Sequence, residues 1–176
     1  MAQLPGILPH APLSISYETF TETATRFLTA KDAKILSLLS LEPPRNTQTT
    51  GSSLVDSWFV FERSLRLVLE RIRSAKFKRE YQWSAKEEES LLYFPDIQQI
   101  GKTASSFESP LEAERYINQA RFACLDRLRS NHFFDSDAVF AYGLMLLLHE
   151  RSDKFTAEAG LASYTTIYNH ILGDNE

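Results

Sequence analysis

A chain of 176 residues that is 43% apolar, with twelve Phe and seven Tyr, can fill one core of ordinary domain size and is too apolar to be wholly disordered. The net charge of −4 is mild but uneven: between Glu62 and Lys86 eight basic residues stand against three acidic ones, a net +5 that leaves −9 on the rest. Six scattered glycines exclude a phosphate-cradling loop, a single cysteine excludes an internal disulfide, and the longest apolar run, 138–148, falls far short of the ~20 residues a membrane span needs.

Residues 1–15 carry Pro5, Pro9 and Pro12, which break any apolar signal helix, so this stretch reads as an extended segment docked on the body. Ser16 then precedes a helical pattern through Phe20, Ala24, Phe27 and Leu28. Thr29 with Asp32 three residues on is a variant capping box that opens a short helix through Leu39, ended by Pro43 and Pro44. The polar stretch 46–53 (NTQTTGSS) reads as a flexible linker between this helical pair and the main bundle. Ser53 with Asp56 is expected to start the longest helix, running to about Tyr81, with Trp58, Phe61, Leu65, Leu69 and Ile72 as its buried stripe. Glu62–Arg66 and Glu70–Arg73 stand as pairs along it, each contributing about 0.2–0.5 kcal/mol.

Ser84 with Glu87 caps another short helix, stopped by Pro95, and 96–108 fits no single element. Ser109-Pro110-Leu111-Glu112 combines an N-cap Ser, a first-turn Pro and an acid at the third position, and opens a helix with Ile117, Ala120, Cys124 and Leu128 on its apolar face. Asp135 or Ser136 caps the next helix, which is apolar nearly all round and therefore central and buried. A last helix, 157–172, is expected to turn Leu161, Tyr164, Ile167, Tyr168 and Ile171 inward. The fold is thus all-α: one irregular bundle of about six or seven helices over 1–176, with the long helix packed on the apolar one.

Tests for chemistry mostly fail. His149-Glu150 begins a zinc-protease motif, but the second histidine position holds Asp153, so the expected role is a helix-end His beside a solvated Glu. Asp135 and Asp137 beside His132 fit helix capping better than a metal site. Cys124 lacks a local activating motif and reads as a small core residue, and Glu87-Glu88-Glu89 reads as a solvated first turn. No GxSxG elbow is present. No catalytic residue, cofactor or metal ligand is assigned, and the protein is expected to be a non-enzyme.

The basic run remains, with Arg63, Arg66, Arg73, Lys76, Lys78 and Arg79 as candidate partner contacts. Three readings stand open: a solvated helix face, a contact surface for an acidic protein, or a nucleic-acid site in which Phe77, Tyr81 or Trp83 stack on bases. The overall acidity argues against the last, because the other faces repel phosphates.

The stretches DSWFVFERSLRLVLERIRSAK (56–76) and SPLEAERYINQARFACLDRLRSNHFFDSDAVFAYGLMLLLHERSDKF (109–155), with the leading LPGILPHAPLS and the later AGLASYTTIYNHI, resemble a small bacterial family encoded with V-type ATPase genes. The second stretch is also similar in style to the C-type (d-type) subunit of V- and A-type ATPases. The resemblance implies an accessory or structural subunit that assists assembly or couples the stalk to the membrane ring in proton or sodium transport. It implies a cytoplasmic place, peripheral to the inner membrane through the ATPase, with ATPase subunits as partners and neither nucleic acid nor membrane insertion. It also points to Trp58, Glu62, Arg66, Glu112, Glu114 and Arg115 as matching positions with an interaction role. The alternative is a free-standing adaptor or regulator that binds an acidic protein through 63–86.

Overall fold

A computed structural model describes residues 4–7, 12–45, 49–79, 84, 88–89, 91–155, 160, 162–163 and 165–169. Among these residues there is no strand. Six helices are bounded: α1 (Tyr17–Thr25), α2 (Ala30–Leu36), α3 (Ser53–Lys76), α4 (Ile97–Ala104), α5 (Pro110–Arg129) and α6 (Ser136–Asp153). Further helical residues stand at 88–89 and 91 and between 160 and 169, which makes an all-α bundle of about seven helices. No helix of the described residues is long and apolar enough to cross a membrane.

Side-chain caps set most helix starts. Ser16 Oγ accepts the Thr19 N–H at 3.2 Å to open α1, and Thr29 Oγ1 accepts the Asp32 N–H at 3.2 Å while donating to the Asp32 carboxylate at 2.8 Å to open α2. Ser109 caps α5, whose first turn carries Pro110, and Asp135 Oδ1 accepts the Ala138 N–H at 3.0 Å to cap α6. Helix α3 starts at Ser53, as the sequence leads one to expect, but Ser53 does not cap it. Ser52, not Ser53, is the cap and accepts the Val55 N–H at 3.2 Å. Asp56 turns back instead, accepting the Thr50 N–H at 2.8 Å and the Thr50 hydroxyl at 2.9 Å. Thr50 to Ser53 of the expected linker are therefore tied to α3, while 46–48 lie outside the described residues.

The other end of α3 also departs from expectation. The helix stops at Lys76, not near Tyr81, because the chain turns left-handed at Lys78, φ 53°. The Lys78 N–H then reaches the Ala75 carbonyl at 3.2 Å and the Arg79 N–H the Ser74 carbonyl at 2.9 Å, the two bonds of a Schellman turn. Such turns normally place glycine at this position, so the periodic pattern gave no warning of the stop.

The core is one continuous cluster centred on α6, in which Val139 to Leu146, Leu148 and His149 are buried. Helices α1 and α2 pack on one side of it and α3 and α5 on others, as the apolar composition of α6 predicts. Gly143 lets the first pair come close: a Cβ there would stand 2.9 Å from Leu39 Cδ1 and 3.2 Å from Phe20 Cε1. The unassigned stretch 96–108 contains α4, which presses Gly101 against Val68 of α3 so closely that a Cβ would lie 2.4 Å from Val68 Cγ1. The N-terminal segment docks through Ile7, Leu13 and Ile15 and through the Tyr142 hydroxyl, which donates to the Pro5 carbonyl at 3.0 Å. In the last expected helix Ile167 and Tyr168 are exposed rather than inward, because apolar spacing marks a shared face and not its burial. Leu161, Tyr164 and Ile171 lie outside the described residues.

Candidate functional site

The six basic candidates divide along α3. Arg63 Nη1 donates to the Pro44 carbonyl at 3.1 Å and Arg66 Nη2 to the Leu41 carbonyl at 3.2 Å, so both staple the helix to the chain leaving α2. Burial pulls the Arg63 pKa below the usual guanidinium range, against the opposing pull of the Asp56 carboxylate. Lys76 Nζ donates to the Ser105 carbonyl at 3.0 Å, at the C-terminal end of α4, where a cation also complements the helix dipole. Arg73, Lys78 and Arg79 lie exposed at the far end, as does Phe77, which is 72% exposed. Arg79 stands over the Phe77 ring, 5.9 Å from its centroid.

The residues marked by the family resemblance behave differently. Trp58 is fully buried and its indole N–H donates to the Ser40 carbonyl at 3.1 Å. Glu62 has 0% exposure. It keeps a loose approach to Arg66 at 3.7 Å, but its main partner is Arg121 of α5, whose Nε lies 2.6 Å from one carboxylate oxygen and whose Nη2 lies 3.2 Å from the other. Arg121 Nη1 donates further to Asn118 Oδ1 at 2.9 Å and Glu114 Oε1 at 3.2 Å. Glu114 also receives Arg151 of α6 at 2.7 Å, and Asn118 donates to the Ser152 hydroxyl at 3.1 Å. A polar lattice thus joins α3, α5 and α6 through the core, and its members satisfy one another, as buried charges must. Trp58 and Glu62 are internal; Glu112 and Arg115 remain on the surface of α5.

The residues tested for chemistry have neighbours within the fold. His149 is buried and its Nδ1 lies 3.2 Å from Asp153 Oδ2, the residue that replaces the second histidine of the protease motif. Glu150 is half-buried and accepts the first N–H of α1, from Tyr17, at 2.6 Å. Burial pushes the Cys124 thiol up to about 12, so it stays protonated and unreactive. Among the described residues no group of His, Cys, Asp and Glu is placed to hold a metal ion.

His132 Nδ1 lies 2.6 Å from Asp135 Oδ2 and its Nε2 4.0 Å from Asp137 Oδ2. Asp137 accepts the Ser52 hydroxyl at 2.6 Å, so the N-terminal ends of α3 and α6 share one brace. The hydrogen bond to Asp135 holds the His132 pKa above its ordinary value, and the same bond holds Asp135 below its own.

Two features were not read from the sequence. Phe133 and Phe134, in the turn between α5 and α6, are 72% and 91% exposed. A cleft of about 350 Å³ opens between α3, α4 and α5, floored by Phe61, Phe94, Ile97 and Ile100 and walled by Ala120 and Ala123, with Asp96, Gln119 and Arg127 also lining it. Both escaped because periodicity reports which residues share a helix face, not which faces diverge or which turn residues stay uncovered. No family model, curated protein or solved structure matches the chain.

Proposed function

We propose that this protein is a non-catalytic binding protein that docks an acidic protein surface on the exposed C-terminal end of α3. The observation that carries this reading is the division of the basic run. Arg63, Arg66 and Lys76 each donate to a backbone carbonyl of the protein itself. Arg73, Lys78 and Arg79 are exposed at the same end of the helix as an exposed Phe77, over whose ring Arg79 stands. The partner that the sequence resemblance implies is a V-type ATPase, which the protein would serve as an accessory subunit assisting assembly or stalk-to-ring coupling from the cytoplasmic side. A free-standing adaptor binding a different acidic protein would use the same surface.

The test is affinity capture from a native extract, comparing the wild type with R73E/K78E/R79E at low and high salt. Capture of ATPase subunits that is lost on charge reversal and weakened by salt supports the subunit reading. Capture of another acidic protein with the same dependence replaces it with the adaptor reading. Captured proteins indifferent to both salt and charge reversal overturn the docking surface itself.

A further inference from the structure

The turn joining α5 to α6 is unusual in what it leaves uncovered. Its polar groups are tied down on every side. The Ser130 hydroxyl donates to the Arg127 carbonyl at 2.8 Å, and the His132 N–H donates to the Arg129 carbonyl at 2.9 Å. Arg129 pairs with Asp126 at 2.8 Å and His132 with Asp135 at 2.6 Å. Asp137 just beyond is held by Ser52 of α3. Within this bonded frame Phe133 and Phe134 stand out in solvent as the two most apolar groups of the turn. A short, cross-braced turn holding two aromatic rings loses little conformational entropy when the rings are buried, which is the condition for an energetic anchor.

The matching socket lies on the same molecule. The cleft of about 350 Å³ has an aromatic and aliphatic floor, and its α5 wall is low because Ala120 and Ala123 are small. The last lining residue of that wall, Arg127, is close in sequence to the turn that carries the rings. Yet both rings are exposed, so they do not enter the cleft of their own chain. We propose that Phe133 and Phe134 of one copy seat in the α3–α4–α5 cleft of a second copy, and that the second copy returns the contact, forming a two-fold dimer along α5.

Area and charge both suit this occupant. Each Phe buries roughly 150–250 Å². Four rings and the socket surface they cover therefore approach the ~1,200–2,000 Å² of a specific interface. The cleft lining carries one charge of each sign, Arg127 and Asp96, and the charges beside the rings are paired within their own turn, Arg129 with Asp126 and Asp135 with His132, so an apolar contact between two copies meets no block of like charge. A contact that each copy returns to the other closes as a pair instead of growing into a chain.

Sedimentation of the pure protein from micromolar to about millimolar concentration tests this directly. The expected result is a monomer–dimer equilibrium that persists at high salt, since apolar burial is not screened. Two surface variants attack its two halves: F133S/F134S removes the plug, and A123R fills the socket from an exposed position. Each should weaken association at least about tenfold with the thermal midpoint unchanged. A wild type that stays monomeric throughout overturns the proposal. So does a dimer that either variant leaves intact. Because this association survives salt, its loss is distinguishable from failure of the basic docking surface on α3.

Discussion

The two ends of α3 hold the same kinds of residue and behave in opposite ways. At its N-terminal end Ser52 is buried, its hydroxyl bonded to Asp137 of α6, and within the next four turns Trp58, Phe61, Glu62 and Leu65 are all buried. The arginines there, Arg63 and Arg66, are held by carbonyls of the chain between α2 and α3. About 36 Å away, by a rise of ~1.5 Å per residue, the helix ends in Phe77, Lys78 and Arg79, all exposed. The difference lies in what stands opposite. A charged side chain becomes structural where a neighbouring segment offers unsatisfied carbonyls, and it remains available for binding where none does. The first end should therefore answer mutation with lost stability and the second with lost affinity.

The largest effect is expected at Glu62. Its carboxylate is buried against Arg121, and removing one member of such a pair leaves a charge without compensation, which costs about 3–5 kcal/mol. Glu62→Ala should thus lower the denaturant midpoint strongly without changing the slope of the transition. E62M/R121M should recover much of that loss, because a pair replaced by apolar groups leaves no stranded charge. If the double variant is as unstable as the single one, the lattice through Glu114 and Asn118, and not the ion pair itself, carries the effect.

Next comes Ser52, whose hydroxyl both caps α3 and donates to Asp137. Ser52→Ala should cost about 1–2 kcal/mol, at the upper end for a cap because two helix ends lose a bond together. Charge reversal at Arg73 or Arg79, in the exposed half, should leave the same unfolding curve within about 0.5 kcal/mol. A comparable loss there would erase the distinction between the two ends.

How far the sequence foretold these regions follows from what periodicity measures. The all-α class, the caps at Ser16, Thr29, Ser109 and Asp135, and the burial of α6 were legible because each is set by residues within one or two turns. The buried ion pair was half legible. Glu62 falls between Trp58 and Leu65 on the apolar stripe of α3, and Arg121 falls between Ile117 and Cys124 on that of α5: two opposite charges inside two apolar stripes. The sequence reading assigned Glu62 to Arg66 because the neighbour four residues on is visible locally and the partner 59 residues away is not. The Schellman stop at Lys78 was illegible for a related reason: a lysine does not announce a left-handed turn. The six basic contact candidates come from the local charge run, but only tertiary packing separates Arg63, Arg66 and Lys76, which bond carbonyls at Pro44, Leu41 and Ser105, from Arg73, Lys78 and Arg79 at the exposed end.

Lys78 itself sharpens the comparison. A residue with a Cβ in the left-handed region is strained, and glycine is not. Lys78→Gly should stabilise the protein by up to about 1 kcal/mol while removing one cation of the proposed docking surface. Stability and affinity would then move in opposite directions at one position, measured by thermal unfolding on one side and by binding to an acidic partner on the other. Equal movement in the same direction would mean that the turn contributes nothing of its own to stability.

The smallest effect belongs to the brace where α3 and α6 begin. His132, 25% exposed, has its pKa raised chiefly by the hydrogen bond to Asp135, and Asp135 has its own lowered by the same bond. A raised histidine pKa means stability fully present below the unfolded value of about 6.5 and lost as pH rises through the folded value. A lowered aspartate pKa means stability present above about 3.9 and lost as pH falls through its folded value. The pair therefore supports the fold best between these limits, and the wild type should lose a small increment of thermal stability between weakly acidic and mildly alkaline pH. H132Q should flatten that slope and leave the rest of the pH profile in place. Since His132 reaches toward Asp137, which holds Ser52, S52A should in turn reduce the slope without abolishing it. An unchanged slope in H132Q would assign the pH dependence to another group and leave the N-terminal end of α3 held by its neutral caps alone.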